Sequence, residues 1–251
     1  AENEFWQGGF VWTGFDYRGE PTPYKWPNVN SHFGIMDVCG FPKNIYYYYK
    51  SWWTDEDVIH ISPHWNWNEK IGQPIEVWVN SNADDVELFL NGKSLGKKTM
   101  PRNSHLKWEV TYEPGTLEAI GYKKGKKIST KVETTSTPYK VIATTEKNIL
   151  TADGKDATVV NISIVDEKGR EVPVADNMVK FFLKGDAKII GVGNGDPSSH
   201  EPDQFLDGAW QRSAFNGKCQ VIILSGKTKG EFQLEVKSNG LASDMVSFTQ
   251  K

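Results

Sequence analysis

Gly92-Lys93-Ser94-Leu95-Gly96 fits the G-x-S-x-G spacing in which a hydrolase raises a nucleophilic serine on a sharp strand-to-helix turn. Here the pattern follows Asn91 between two alternating apolar runs, and no helical period comes after it, so it reads as a hairpin. The five histidines, His32, His60, His64, His105 and His200, show no H-x-x-x-H or H-E-x-x-H spacing, and no G-x-x-x-x-G-K-[ST] phosphate loop is present. Zinc hydrolysis and nucleotide chemistry therefore lose their usual support. Gly191-Val192-Gly193-Asn194-Gly195-Asp196 offers glycines and a carboxylate but leads into no helix. It reads as a tight turn, with Asn194 and Asp196 at most a weak cation site.

The stretch best suited to chemistry is Gly8-Gly9-Phe10-Val11-Trp12-Thr13-Gly14-Phe15-Asp16-Tyr17-Arg18-Gly19-Glu20-Pro21-Thr22-Pro23-Tyr24. An indole at the end of an apolar run, followed by a polar and aromatic loop, places a flat apolar platform beside hydrogen-bonding groups. A pyranose, with one C–H face and a rim of hydroxyls, needs that combination. On spacing alone the opposing reading, Trp12 and Phe15 as plain core aromatics, carries equal weight. Glu2, Glu4 and Glu20 read as solvated carboxylates, the first two ahead of the apolar run and Glu20 in a Pro-flanked turn.

The elements that would position these residues fall into two regimes. Of 31 aromatic residues, 16 lie in residues 1–57. Residues 8–12, apolar without alternation, read as a strand buried on both faces, one strand of a parallel sheet. Residues 13–42 have no sustained period, and an irregular connection of that length is uncommon unless it builds a site. Pro42 then opens a helix over residues 43–53, with Ile45, Tyr48, Tyr49 and Trp52 at helical spacing and Tyr46, Tyr47 and Trp53 on the other face. A helix aromatic nearly all round is expected to be clamped between two bodies, leaving a set drawn from the first group exposed if one is absent. From Val58 the period becomes two: Ile75-x-Val77-x-Val79, Val86-x-Leu88-x-Leu90 and Leu106-x-Trp108-x-Val110 alternate, with Asn91-Gly92 and Lys124-Gly125 as hairpin turns. Thr134 to Thr137 reads as an exposed linker. A second series follows, with strands near 159–165, 179–183, 221–224 and 232–236 and turns at Asp153-Gly154, Lys168-Gly169 and Asn216-Gly217.

A net charge of -3 with 24% charged residues excludes both a basic nucleic-acid binder and an acidic disordered tail. No run approaches the roughly 18 apolar residues of a membrane helix, and Ala1-Glu2-Asn3-Glu4 is no leader, although an earlier signal could have been removed. Cys39 and Cys219 have no partners at motif spacing and read as two free, buried thiols.

Extended through Asn30-Ser31-His32-Phe33-Gly34-Ile35-Met36-Asp37 and Gly40-Phe41-Pro42-Lys43, the aromatic stretch resembles the last strand, loop and helix of the catalytic barrel of glycoside hydrolase family 2 β-galactosidases. His64-Trp65-Asn66-Trp67 is similar to the same family. The resemblance implies a mainly β chain: the final strand and helix of a (β/α)8 barrel in residues 1–57, then two immunoglobulin-like antiparallel β-sandwiches in residues 58–137 and 138–251. It implies that Trp12 lies beneath the galactose ring and that Asp16 and Tyr17 contact substrate from the loop beyond. The two glutamates that catalyse hydrolysis with retention would come from earlier barrel strands, preceding Ala1, so no catalytic residue is assigned within the chain and the chain by itself is expected to be inactive. The partners implied are a β-galactoside and the remainder of the barrel; no metal, since Phe33 falls where a ligand would be wanted, and no cofactor are expected. The expected location is periplasmic or secreted. The reading from another class is a non-catalytic carbohydrate-binding or adhesive array of immunoglobulin-like modules; a third is a pseudoenzyme subunit.

Overall fold

The computed structural model describes Phe5 and residues 8–251; the Glu2 and Glu4 readings lie outside the described residues. Alternation of apolar and polar residues builds two pairs of sheets, each closed over its own core. The first holds β1 (Ile59–Ser62), β2 (Pro74–Ser81), β3 (Asp85–Leu90), β4 (Lys93–Thr99), β5 (Leu106–Thr111), β6 (Thr116–Lys123) and β7 (Lys126–Glu133). Its sheets run in the orders β1-β2-β5 and β4-β3-β6-β7. Ile75, Val77 and Val79 of β2 lie opposite Val110, Trp108 and Leu106 of β5, and they share one buried core with Val86, Leu88, Leu117 and Ala119 of the facing sheet. Asn91 and Gly92, at φ 50° and 80°, make the β3–β4 turn, and Lys124 and Gly125, at φ 49° and 81°, the β6–β7 turn. Positive φ at both central residues is the conformation that matches the twist of a tight hairpin.

The second pair holds β8 (Lys140–Thr144), β9 (Ile149–Leu150), β10 (Ala157–Val165), β11 (Met178–Lys184), β12 (Ala187–Gly193), β13 (Trp210–Ser213), β14 (Lys218–Ser225), β15 (Gly230–Ser238) and β16 (Asp244–Gln250). Its sheets run β12-β14-β10-β8 and β13-β11-β15-β16-β9. Val160, Ile162, Val221 and Ile223 from one sheet meet Phe181, Phe232, Leu234 and Phe248 from the other, with the Phe232 and Phe248 rings stacked at 4.7 Å. The expected linker exposes Ser136 and Thr137 but is tied down at both ends. Thr134 donates its hydroxyl to the Trp65 carbonyl at 2.6 Å and the Thr135 N–H bonds Asn66 Oδ1 at 3.1 Å. On the other side Ser136 N bonds Asp166 at 3.2 Å. Asp166 is buried against the Arg170 guanidinium, which holds its carboxyl well below the usual range.

One expectation for the N-terminal segment is corrected. Residues 8–12 form no strand: Phe10 is fully exposed and Trp12 is 74% exposed. A strand buried on both faces exists only where neighbours bond its backbone, and no described residue does so here. The helix, α1 (Asn44–Trp53), forms as expected, but it leans its Tyr48 and Trp52 edge on the first sandwich. Tyr48 Oη donates to the Asn103 carbonyl at 2.9 Å and Trp52 Nε1 to the Ser104 carbonyl at 3.1 Å. Ile45, a member of the set expected to be exposed, is exposed, and so is Trp53 of the other face. No helix among the described residues is long and apolar enough to cross a membrane.

Tyr47 of α1 stacks on His60 of β1 with centroids 3.7 Å apart and rings 8° from parallel, while His60 Nε2 bonds Asn44 Oδ1 at 3.1 Å. Burial pushes the His60 imidazole down from 6.5 to about 4. The unfolded chain therefore takes up this proton first, and the neutral ring's contribution, complete above pH 6.5, is lost as pH falls toward 4. Melting of the chain recorded across that window should show the midpoint fall with acid, and His60→Gln should flatten the slope between those pH values. An unchanged slope would mean that other groups set it.

Candidate functional site

Residues 13–16 and 33–36 run side by side as a short ribbon. Ile35 N bonds the Thr13 carbonyl at 3.0 Å, Met36 N the Gly14 carbonyl at 3.0 Å, and Asp16 N the Met36 carbonyl at 3.0 Å. The two backbones approach so closely that only glycine fits at position 34, where a Cβ would stand 2.2 Å from Asp16 N and 2.4 Å from the Met36 carbonyl. Asp16 closes the ribbon from beneath. It is 6% exposed, with Oδ1 accepting the Gly34 N–H at 2.8 Å and Oδ2 paired with Lys43 Nζ at 2.5 Å. Lys43, the residue before α1, also donates to the His32 carbonyl at 3.3 Å. One ion pair thus fixes both the loop and the entry of the helix.

Above the ribbon, Trp12, Tyr17 and Glu20 form a chain of hydrogen bonds. Trp12 Nε1 donates to Tyr17 Oη at 3.2 Å, and Tyr17 Oη donates to Glu20 Oε2 at 2.5 Å. The carboxylate accepting its O–H holds the Tyr17 phenol above its ordinary value. Glu20 reaches this place from a left-handed backbone at φ 54°. The arrangement orients an exposed indole beside a phenol and a carboxylate, which is a platform with a hydrogen-bonding edge.

The three residues expected at the site therefore divide. Trp12 and Tyr17 are brought together at the surface, while Asp16 is buried with both oxygens engaged by the protein. Glu20, read from the sequence as solvated, is part of the cluster; its signal was the separation of three from Tyr17 inside a turn. Ser94 lies exposed in the β3–β4 hairpin and donates to Glu87 Oε1 at 2.5 Å, with no elbow around it. Asn194 and Asp196 hold the turn itself, Asn194 Oδ1 accepting from Asp196 N at 3.2 Å and Asp196 Oδ1 from Ser198 N at 2.8 Å.

A cavity of about 780 Å³ opens where the loop meets both sandwiches, lined by Asp16, Asp37, Lys43, His60, His64 and Lys218 among others. Asp37 Oδ1 accepts from Cys39 N at 2.8 Å and Phe41 N at 3.0 Å, and burial raises its carboxyl above the usual range in spite of them. Burial likewise pushes the Cys39 thiol up to about 12. A second cavity, about 630 Å³, lies between α1 and β2 beside Tyr48, Trp78, Asn80 and His105. Its indole is covered, since His105 stacks on Trp78 at 4.1 Å and Lys107 Nζ sits 4.2 Å from the ring centroid.

Residues 142–247 match the family described as glycoside hydrolase family 2 C-terminal domain 5, and residues 72–129 match a domain of unknown function, DUF4982. A β-galactosidase of Bacteroides ovatus is 48% identical over 251 residues, covering 99% of this chain and 29% of that protein. A putative β-glucuronidase of Formosa agariphila is 40% identical over 231 residues, 87% of this chain and 22% of its own length. The crystal structure of a β-glycosidase from Bacteroides vulgatus superposes with a TM-score of 0.88 at 35% identity, covering 95% of this chain and 30% of that one. The chain thus spans less than a third of each of these relatives.

Proposed function

The chain carries the family 2 C-terminal domain 5 and resembles the C-terminal part of family 2 glycoside hydrolases along nearly all of its length; from this premise we propose that it is the C-terminal portion of a retaining β-galactosidase. In this reading residues 1–57 complete the catalytic barrel, and the two sandwiches are immunoglobulin-like domains that follow it. The observation that carries the proposal is the Trp12 platform: an exposed indole face for the apolar side of a galactose ring, with its edge held by Tyr17 and Glu20. Asp16 serves it from below as a positioning residue. The substrate is a neutral sugar. Named relatives divide between β-galactosidase and β-glucuronidase, and the Glu20 carboxylate beside the platform disfavours a second carboxylate such as a glucuronide brings.

Hydrolysis with retention takes two carboxyl groups about 5 to 5.5 Å apart, one as nucleophile and one as acid and base. Among the described residues, the carboxylates beside the platform are engaged within the protein, Asp16 by Lys43 and Glu20 by Tyr17. By the resemblance to family 2 enzymes, nucleophile and acid/base come from barrel strands earlier in the parent protein, and this chain alone does not hydrolyse glycosides. The test compares the 251-residue chain with its full-length parent on chromogenic β-galactoside and β-glucuronide. Turnover of the galactoside by the parent alone is the expected result. Turnover by the purified chain would overturn the division of labour, and a parent that prefers the glucuronide would overturn the substrate.

A further inference from the structure

The glycine-rich turn that leads out of β12 is where the second sandwich touches the platform loop. Pro197 offers its carbonyl to two successive N–H groups of the loop, Val29 at 2.9 Å and Asn30 at 3.2 Å. Those residues are in turn bonded to the segment carrying the platform: Gly19 N to the Val29 carbonyl at 2.8 Å, Ser31 N to the Tyr17 carbonyl at 2.8 Å, and Tyr17 N to Ser31 Oγ at 3.1 Å. A continuous set of backbone hydrogen bonds therefore runs from Pro197 through residues 29–31 to Tyr17.

Side chains reinforce the same seam. Arg212 is 3% exposed. Its guanidinium staples residues 199–203 from inside, reaching Ser199 Oγ at 3.2 Å and the Glu201 carbonyl at 3.1 Å. The Asp203 carboxylate then bridges buried Arg212 to exposed Arg18, the neighbour of Tyr17. His200 Nε2 donates to the Pro27 carbonyl at 2.8 Å, and its ring lies 4.3 Å from that of Trp26. The glycines permit the approach: a Cβ at Gly193 would stand 2.8 Å from Cys39 Sγ, and one at Gly195 would stand 1.9 Å from Asp37 Oδ2.

We infer that residues 193–203 of the second sandwich are a positioning element for the platform, holding Tyr17 and through it the Trp12 indole where a sugar ring would stack. Part of the specificity apparatus of the barrel then resides in a domain that supplies no catalytic group. The inference rests on the platform reading of the proposed function. Arg18 is well exposed, so its pair with Asp203 adds little to global stability. Its effect is local, on the opening of one loop.

The test is the double variant Arg18→Ala/His200→Ala, which leaves the buried Arg212–Asp203 pair intact. In the 251-residue chain, hydrogen exchange at the amides of Gly19, Val29, Asn30 and Ser31 should quicken while the melting temperature and the exchange of β10 and β14 stay as in the wild type. In the full-length enzyme the KM for a chromogenic β-galactoside should rise roughly three- to tenfold with kcat little changed, the size of coupling that residues between two sites carry. Unchanged exchange, or quickened exchange with unchanged KM, overturns the inference. If the parent hydrolyses a different glycoside, the substrate reading fails and the KM comparison is made with that glycoside. If it hydrolyses none, the platform reading fails, and the inference fails with it. Gly195→Ala tests the seam independently of charge. Its Cβ must displace Asp37, and the same amides should lose protection.

Discussion

Asp16→Ala should lower the opening free energy of the ribbon amides, those of Gly34, Ile35 and Met36, by about 2–3 kcal/mol, measured by hydrogen exchange on the chain. Removing one partner of a buried ion pair typically costs about 3–5 kcal/mol. The lower figure applies because the Lys43 side chain is 30% exposed and recovers part of its solvation. The substitution also leaves the Gly34 N–H without its acceptor. Asp16→Asn should be milder, about 1–2 kcal/mol, since its amide oxygen can keep the Gly34 bond while the charge is lost. Equal protection in wild type and Asp16→Ala would mean that the ribbon is held by its backbone bonds alone.

The second large effect is catalytic. In the full-length enzyme proposed above, Trp12→Ala should reduce kcat/KM for a β-galactoside by roughly ten- to a hundredfold, taking the worth of one stacked aromatic face as about 1–3 kcal/mol. The melting temperature of the chain should not move, because the indole is 74% exposed and its hydrogen bond to Tyr17 lies at the surface. Trp12→Phe keeps a face and loses only that bond, so it should fall between wild type and alanine. A large loss of stability in Trp12→Ala with normal kcat/KM in the remaining folded enzyme would make the residue structural and remove the platform.

These two residues mark how far the site can be read without coordinates. Both lie in one short stretch whose residue types suit a sugar, and Trp12 with Tyr17 does form the surface cluster. The same stretch read alone misassigns the elements beside them. An apolar run such as Gly8-Gly9-Phe10-Val11-Trp12 looks like a buried strand, yet Phe10 stands in solvent because no described strand lies against it. Asp16 looks like a substrate contact from its place in the loop. Its burial follows from Lys43, 27 residues later, folding back beneath the ribbon.

What the sequence determines by itself is whatever depends on near neighbours. Period-two alternation specifies which face of each strand is buried, and Asn91-Gly92, Lys124-Gly125 and Asn216-Gly217 specify turns through backbone conformations that glycine and asparagine tolerate cheaply. A helix over residues 43–53 follows from spacing and Pro42, and it forms over Asn44–Trp53. The tertiary structure decides the rest: that Glu20 binds Tyr17, that Gly34 is required by another backbone, and that the 193–203 turn carries the platform loop of residues 17–31. Each depends on groups brought within bonding distance by packing of segments up to 185 residues apart, as Arg18 and Asp203 are. Local periodicity carries no information about which distant partner a polar side chain meets, because that choice is made only when separate apolar faces have closed and the remaining hydrogen-bonding groups must find partners in the seams between them.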